Sequence, residues 1–414
     1  MVKRVLMVAY HFPPMRGSSG IQRTLKFAQY LPKFGWQPLV LSAHPRAYLR
    51  TGNDQMNEIA ADMPIKRAFA LDTSRHLAFR GRYLSGLALP DRWGSWLLGA
   101  VPAGLRMIWR YKPQVIWSTY PIATAHLIGY ALHKLTGLPW IADFRDPMTD
   151  EGYPPDPTMR RAYSWIEKKT LAHCARAVFS TPGTIRDHLR RFPEIPASRF
   201  VLIENGYDEE NFTSAALAAA DAPRSSRPMV LVHSGIIYPS ERDPVPFFEA
   251  VSALKQRGAI SADRLQILLR ATAHDDYLRP LIEKLGVSDI IHLAPPVSYR
   301  EALIEMLQAD GLLILQAANC NSQIPAKLYE YLRAQRPILA LTDADGDTAR
   351  SLRDAGIDTI AALDSRPEIE AGLVRFLELL QSGKAPVTPM AAVALRSREG
   401  RTRELATLLE SLDA

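Results

Sequence analysis

Short runs of hydrophobic residues alternate along this sequence with longer segments in which apolar residues recur every three or four positions. The runs are typical of buried strands, and the longer segments are typical of amphipathic helices that cover a parallel sheet. Strands are predicted at 4–10, 38–42, 114–118, 139–143, 177–180 and 200–203, and then at 229–233, 265–269, 290–293, 311–315 and 337–341. Helices are predicted at 21–34, 123–135, 159–175, 245–256, 299–308, 326–333 and 393–412.

This alternation predicts an α/β protein with two doubly wound, Rossmann-like domains. Residues 211–228 are polar, rich in Ala, Ser and Pro, and without clear periodicity, so we predict a linker there. We expect one domain over 1–210, a second over 229–390, and a C-terminal helical segment, 391–414, that packs back on the first. Ligands of open α/β sheets bind at the carboxyl ends of the strands, which predicts a cleft there between the two domains.

Composition and charge change this picture in one respect. The 414 residues are 47% hydrophobic and 22% charged, as in ordinary globular proteins. Residues 1–200 hold 28 Lys and Arg against 13 Asp and Glu, whereas residues 201–414 hold 22 against 30. The basic half predicts an anionic partner, such as a phospholipid surface or a phosphorylated substrate. The charge is spread over a whole domain without a recognition module, so we expect no nucleic acid partner.

Location is inferred from the cysteines and the apolar segments. Cys174 and Cys320 match no metal-ligand spacing and favour a reducing compartment, so we expect a cytoplasmic protein without a signal peptide or membrane span. Residues 93–117 mix four tryptophans with cations, as a helix lying on anionic lipid does. We favour an ordinary core helix, whose buried face would hold Leu98, Leu105, Ile108 and Trp109.

The first candidate motif follows the first predicted strand. His11 directly follows the carboxyl end of that strand and is a candidate catalytic residue, with a structural histidine as the alternative. The next loop opens a helix, where glycines permit close backbone approach and free amides can hold an anion. Its candidate residues for binding an acceptor or phosphate are Gly17, Ser18, Ser19 and Gly20. Strand-to-helix turns also use glycine for geometry alone.

A second motif ends the strand at 139–143, where an apolar run stops at Asp143, Arg145 and Asp146. Three charges at the carboxyl end of a strand are unfavourable unless they pair or bind something. We interpret them as candidate catalytic residues, with a carboxylate as base or orienting group and Arg145 as a phosphate ligand. A structural pair between Arg145 and a carboxylate is the alternative.

Two further motifs lie in the second half. Ser234 and Gly235 follow a strand and Arg242 follows shortly, an arrangement that can surround a diphosphate with amides and one guanidinium. A solvated Arg242 beside Glu241 and Asp243 is the alternative. Later, Pro325 suits a first helical turn, so Lys327 stands at a positive helix terminus with Glu330 about one turn further on.

These segments, in this order, resemble the GT-B glycosyltransferases, in particular the retaining enzymes of family 4. The matching residues are His11-Phe12-Pro13-Pro14 with Gly17 and Gly20, Asp143-Phe144-Arg145-Asp146-Pro147, Glu204-Asn205-Gly206-Tyr207-Asp208 with Phe212, and Pro325-Ala326-Lys327-Leu328-Tyr329-Glu330-Tyr331-Leu332. The resemblance implies that the C-terminal domain holds a nucleotide-sugar donor and the N-terminal domain mainly holds the acceptor.

The resemblance also assigns residues. Glu330 matches the second Glu of the family's E-x7-E motif, which binds the donor ribose, and Arg242 matches a diphosphate contact. The first Glu of the motif falls at Ser322, and Ile236 stands where many relatives have a second arginine, so Lys327 is expected to supply that charge. The expected donor-binding residues are Ser234, Gly235, Arg242, Ile324, Pro325, Ala326, Lys327 and Glu330.

The function implied is transfer of a sugar, with retention, from a nucleotide-sugar, UDP-sugars being favoured. The acceptor would be a saccharide or polyprenyl-linked saccharide, in surface polysaccharide biosynthesis at the inner face of the cell membrane. Asp343-Ala344-Asp345 spells the D-x-D of metal-dependent GT-A enzymes but belongs to a different fold, so no metal or other cofactor is expected. The alternatives are transfer to a soluble small molecule and a sugar-nucleotide epimerase of the same fold.

Overall fold

A computed structural model describes residues 2–16, 20–53, 55–150, 152–219 and 228–413. The chain divides into two compact units, the first formed by Met1–Asn205 with Arg398–Ala414 and the second by Gly206–Ser397. Each unit contains its own parallel sheet.

The first unit contains a seven-stranded parallel sheet of order β3-β2-β1-β4-β5-β6-β7. Its strands are β1 Lys3–Val8, β2 Trp36–Ala43, β3 Ile65–Ala68, β4 Val115–Thr119, β5 Trp140–Arg145, β6 Arg176–Phe179 and β7 Phe200–Leu202. Side chains alternate across the sheet, so Leu6 and Val8 join the core on one face while Val5 and Met7 join the core on the other. Burial on both faces explains why the central strands are continuous apolar runs.

Helices cover both faces of this sheet. They are α1 Gly20–Tyr30, α2 Thr73–His76, α3 Trp96–Tyr111, α4 Ala123–Thr136, α5 Pro157–His173, α6 Pro182–Arg191 and, from the end of the chain, α16 Arg398–Asp413. α16 packs against α1, burying Leu405 and Leu409 in the core that holds Val5 and Met7. The C-terminal helix therefore belongs to the first unit although the second unit precedes it in sequence.

The second unit repeats the architecture with a six-stranded parallel sheet of order β10-β9-β8-β11-β12-β13. The strands are β8 Met229–Ser234, β9 Leu265–Arg270, β10 Ile291–Ala294, β11 Gly311–Leu315, β12 Ile338–Leu341 and β13 Ile360–Ala361. The helices are α7 Glu209–Ala219, α8 Pro239–Arg242, α9 Val245–Gln256, α10 Asp275–Lys284, α11 Tyr299–Gln308, α12 Lys327–Ala334, α13 Asp347–Asp354, α14 Arg366–Gln381 and α15 Met390–Ala394. Among the described helices, none is both long and apolar enough to cross a bilayer.

The structure differs from the sequence prediction at several places. The linker predicted at 211–228 is helical over its first part, in α7, while residues 220–227 lie outside the described residues. β3 and β13 were not predicted, because they are short and β3 carries two cations. The core face predicted for α3 is wrong at Leu98 and Trp109, whose side chains are 74% and 83% exposed. Trp96, Ala100, Ala103, Gly104 and Met107 form the buried face instead.

Candidate functional site

In the first unit, Asp143 near the end of β5 is bound by a buried arginine that sequence reasoning missed. Arg23 of α1 donates to both carboxylate oxygens of Asp143 at 2.9 Å, and the Thr119 hydroxyl donates to one of them at 3.0 Å. The same guanidinium donates to the main-chain oxygens of Ile203 and Glu204. Asp143 is fully buried, so this geometry favours a structural role over the predicted catalytic one. The structure thus pairs a cation with Asp143, but the cation is Arg23 rather than Arg145.

Arg145, at the end of β5, is the strained residue of this region. Its φ of 62° lies in the left-handed region that side chains with a Cβ rarely adopt, and the β5–β6 register shifts there. The residue is 9% exposed, its Nη1 lies 3.5 Å from the Tyr120 carbonyl oxygen, and its Nε has no hydrogen-bond partner among the described residues. Burial lowers the pKa of Arg145. A buried cation so sparsely bonded can accept an anionic ligand.

His11 follows β1 and lies close enough to Arg145 for the guanidinium charge to act on its imidazole. Burial, reinforced by the charge of Arg145, lowers the pKa of His11 to about 4. The imidazole is therefore neutral near pH 7 and can accept a hydrogen bond. Asp146 is exposed, and its amide donates to the Phe144 carbonyl at 2.7 Å. In the loop predicted to bind phosphate, Gly20 begins α1 and is buried, whereas Gly17, Ser18 and Ser19 lie outside the described residues.

The second unit brings the predicted donor-binding residues to the carboxyl end of β8. Gly235 has φ +115°, and a Cβ there would approach the Lys327 Nζ to 3.2 Å, so the turn needs glycine. The sequence suggested that backbone amides of this turn could contact a diphosphate, and two of these amides are engaged within the protein. The Ser234 amide donates to the Tyr331 hydroxyl at 2.9 Å, and the Gly235 amide donates to the Arg270 carbonyl at 2.8 Å.

Lys327, the first residue of α12, is held by a buried histidine. The His233 Nδ1 lies 2.9 Å from the Leu313 carbonyl oxygen, which can only accept, so Nδ1 carries the ring proton. The Nε2 is then the acceptor for the Lys327 ammonium, 3.0 Å away. Burial and the nearby Arg242 charge lower the pKa of Lys327 to about 7, partly offset by Glu330. His233 is fully buried and its pKa lies well below the usual value, chiefly because of burial.

Arg242 ends the short helix α8 and is anchored rather than solvated. Its Nη1 donates to the Ile236 carbonyl at 2.6 Å, and its guanidinium lies 5.6 Å from the centre of the Tyr238 ring. This contact fixes the guanidinium over the β8–α8 turn, within electrostatic range of Lys327. Two cations beside a glycine turn form a basic clamp that suits a diphosphate.

Glu330 lies one turn after Lys327 on α12 and accepts a hydrogen bond of 2.7 Å from the Tyr299 hydroxyl. Ile324, Pro325 and Ala326 lead into this helix, with Ile324 buried in the unit core and Ala326 as its N-cap. The structure thus brings the predicted donor residues of the second unit together, and adds Tyr299, Tyr331 and His233. His233 had a signal in the sequence, since it stands at the end of a strand directly before Ser234 and Gly235.

The D-x-D segment has a local structural role. Asp343 accepts from the Asn321 Nδ2 and from the Asp345 amide, each at 2.8 Å, and these contacts hold the pKa of its carboxyl below the usual value. Among the described residues no three His, Cys, Asp or Glu side chains converge as metal ligands do.

Comparison with known proteins identifies relatives of both the sequence and the fold. Residues 19–206 match the glycosyl transferase 4-like domain family. A curated relative, D-inositol 3-phosphate glycosyltransferase of Kineococcus radiotolerans, is 26% identical over 280 residues, which cover 63% of this chain and 60% of the relative. The match therefore spans less than two thirds of that relative's length.

Solved structures of the same fold cover nearly the whole chain. HepE of Anabaena, in complex with UDP and glucose, has a TM-score of 0.66 at 12% identity, covering 99% of this chain and 100% of its own. WaaG, a glycosyltransferase involved in lipopolysaccharide biosynthesis, has a TM-score of 0.61 at 14% identity, covering 98% of this chain and 99% of its own. At such identities the likeness shows the fold, which is GT-B.

Proposed function

We propose that this chain, a GT-B glycosyltransferase of the family 4-like type, transfers a sugar with retention from a nucleotide-sugar, preferably a UDP-sugar, to a saccharide or polyprenyl-linked saccharide. The observation that carries the proposal is the basic clamp of Arg242 and Lys327 with Glu330 one helical turn away. The matched domain family and the curated relative are both glycosyltransferases. HepE, which has the same fold, was solved with UDP-glucose.

The clamp suits a diphosphate whose charge grows during reaction. As the bond between the anomeric carbon and the phosphate oxygen breaks, negative charge develops on the leaving nucleoside diphosphate, and cations fixed beforehand lower the barrier. Arg242 is fixed by the Ile236 carbonyl and Lys327 by His233, so neither reorganises when the charge appears. Glu330, oriented by Tyr299, is placed to accept hydrogen bonds from ribose hydroxyls.

The acceptor is assigned to the first unit. Arg145 provides a buried positive charge for a phosphate of the acceptor, and His11 is a neutral imidazole beside it. In the proposed step the acceptor hydroxyl oxygen bonds to the anomeric carbon while the sugar–phosphate bond breaks. The hydroxyl proton passes to the departing phosphate oxygen on the same face of the sugar. Asp146, exposed at the end of β5, and His11 are the groups that orient the hydroxyl.

No metal ion or other cofactor enters the proposal. Two fixed cations supply the charge that a divalent ion supplies in other transferases, and Asp343 is engaged by Asn321 and the Asp345 amide. We place the reaction in surface polysaccharide biosynthesis at the inner face of the cell membrane, where the excess of basic residues in 1–200 favours anionic lipid.

The test is a thermal-shift panel of UDP-, GDP- and dTDP-sugars on the full chain. A donor at about a hundred times its dissociation constant stabilises by about 2.7 kcal/mol, which raises the Tm measurably. The Glu330→Ala and Arg242→Ala variants should keep the basal Tm and lose this shift. No shift with any nucleotide-sugar would overturn the donor-site assignment. Product analysis then separates transfer, which requires an acceptor, from epimerisation, which does not, and NMR of the product reports retention.

A further inference from the structure

The segment between β3 and α3 in the first unit exposes an unusual number of large apolar side chains. Within it, residues 77–87 form what we call the apolar loop. Phe79 and Leu84 are 77% and 75% exposed, and exposed apolar side chains that cluster in one patch mark an interaction surface. The other exposed apolar side chains of the loop are Leu77, Tyr83 and Leu87. With Arg80 and Arg82 they line an open groove of about 710 Å³.

The loop is held at its base by buried and polar contacts. Asp72, which is fully buried, accepts from the Arg92 Nε at 2.9 Å and from its Nη2 at 2.5 Å, so the two ends of the segment are joined. Thr73 Oγ1 donates to the Leu87 carbonyl at 2.8 Å. The exposed apolar side chains therefore stand on a fixed base.

The tip is a two-residue hairpin. The Phe79 and Arg82 amides donate to each other's carbonyl oxygens at 2.8 and 3.0 Å, and Arg80 and Gly81 between them have φ of 50° and 76°. Positive φ at both central residues is typical of a type I′ turn, which reverses the direction of the chain. It places Phe79 at the tip with the Arg80 guanidinium 5.5 Å from its ring centre.

The part of this segment between Asp72 and Asp91 carries charge of one sign only. Residues 73–90 contain three arginines and neither Asp nor Glu. Arg80 and Arg82 are exposed at the tip, beside Phe79 and Leu84, the two most exposed apolar residues of the apolar loop. Apolar groups that project beside cations match an anionic bilayer surface, where rings and leucines enter the acyl boundary and guanidinium groups stay at the phosphates. A protein partner would more commonly meet a flat apolar centre with a polar rim.

We propose that the apolar loop is the element by which this protein binds reversibly to anionic phospholipid. The inference rests on the proposed function in one respect, since a lipid-linked acceptor requires the protein at a membrane. It assigns the contact to a loop outside residues 93–117, the segment for which the sequence offered lipid contact as the less favoured alternative. One loop gives weak, salt-sensitive binding, because stable anchoring needs more than one such signal.

The test is flotation of the full chain with vesicles of phosphatidylcholine alone or with about one quarter phosphatidylglycerol. The double variant Phe79→Ser/Leu84→Ser should lower the partition coefficient on anionic vesicles at least about tenfold. Arg80→Gln/Arg82→Gln should lower it about fivefold for each arginine removed and flatten its salt dependence. The matched control is Leu217→Ser, which changes a side chain 78% exposed in the second unit and should bind as the wild type does.

Wild-type binding that the Phe79→Ser/Leu84→Ser variant retains would overturn the proposal, as would no binding of the wild type to anionic vesicles. A change of oligomeric state in that variant, measured by light scattering, would instead make the loop an interface between copies. Each protein is also tested for the thermal shift with UDP-sugars. A wild type that binds a UDP-sugar but no vesicles contradicts only the loop proposal, whereas a wild type that binds vesicles but no nucleotide-sugar contradicts only the donor site.

Discussion

The Nζ atom of Lys327 lies 3.0 Å from the Nε2 atom of His233, so the first turn of α12 is joined to β8 through an ammonium–imidazole hydrogen bond. The imidazole is fully buried and its other nitrogen is bound to the Leu313 carbonyl oxygen, which fixes the tautomer. A lysine held in this way has a defined position but a weakened charge, because burial and Arg242 lower its pKa to about 7. Its protonation therefore changes within the physiological range.

Donor binding should weaken as pH rises through 7. The pKa of Lys327 is about 7 in the unliganded protein, so the ammonium that attracts a diphosphate is present below this pH and is lost above it. Affinity for UDP-glucose should fall at least about tenfold between pH 6.5 and 8.5, since a bound dianion favours the protonated form. Calorimetric titration measures this, and UDP-glucose is chosen because its diphosphate does not titrate in that range. Lys327→Arg should flatten the dependence of affinity on pH. If the affinity of the wild type does not change between pH 6.5 and 8.5, the assignment is contradicted.

Replacing His233 should shift the pH dependence of donor binding while the protein still folds. In His233→Leu the Lys327 ammonium loses its acceptor while burial persists, so its pKa falls further and the midpoint of donor binding shifts to lower pH. Affinity at pH 7 should drop about five- to thirtyfold, the equivalent of one to two kcal/mol. His233→Asn, which retains an acceptor, should recover part of it. An unshifted midpoint in His233→Leu would show that the histidine acts on packing alone.

Many of the regular elements could be predicted from the sequence because they carry a local signal, although α6, α10, α13 and α14 were not predicted. The predicted helices at 245–256 and 299–308 coincide with α9 and α11, whose apolar periodicity is clear. β3 lacks such a signal, since two of its four residues are cations. Helix α12, to which we assign donor binding in the proposed function, was predicted from Pro325, Lys327 and Glu330, which are close in sequence.

Contacts between distant residues could not be predicted in this way. Arg23 and Asp143 are 120 positions apart, and nothing local to Asp143 indicates that an arginine of α1 neutralises it. Lys327 and His233 are 94 positions apart. The exposure of Trp109 was also missed, because amphipathic periodicity shows that a helix has a buried face without showing which flank of that face reaches solvent.

The Arg23–Asp143 pair should dominate the stability of the first unit. Removing one partner of a buried ion pair leaves the other uncompensated, so Asp143→Asn and Arg23→Met should each lower the free energy of unfolding by about 3–5 kcal/mol. The double variant Arg23→Met/Asp143→Leu should be less destabilised than the sum of the single ones. Urea denaturation measures these values, with Lys33→Ala, which breaks the exposed pair with Glu399, as a control costing less than about 1 kcal/mol. Additive single effects would show that the two residues do not act as a pair.

Metal removal should leave the transfer rate unchanged. The proposed clamp carries its positive charge on Arg242 and Lys327, so EDTA should alter the initial rate less than about twofold. The assay follows nucleoside diphosphate release with a donor identified by thermal shift, in a buffer passed over chelating resin. Lys327→Ala provides the matched comparison, because added Mg²⁺ would restore that variant if a metal can replace the lost charge. A wild-type rate that collapses in EDTA and returns with Mg²⁺ or Mn²⁺ would contradict the metal-free reaction.

Arg145, unlike Asp143, should contribute little to the free energy of unfolding. Its guanidinium is buried, its Nε finds no hydrogen-bond partner in the part of the chain that the structure describes, and its backbone has φ 62°, so the folded protein gains little from this side chain. Asparagine tolerates the left-handed region, and Arg145→Asn should leave the free energy of unfolding unchanged or raise it by up to about 1 kcal/mol.

Transfer to the acceptor should nevertheless fall at least about a hundredfold in Arg145→Asn, because the fixed charge for the acceptor phosphate is lost while donor binding in the second unit persists. Urea denaturation, steady-state transfer and calorimetric UDP-glucose binding on the same preparations measure the three quantities. Arg190→Asn, which removes a 79% exposed cation, is the control and should change none of them. If Arg145→Asn instead loses stability and activity in proportion, Arg145 serves the fold, and the anion site of the first unit must be sought elsewhere at the ends of its strands.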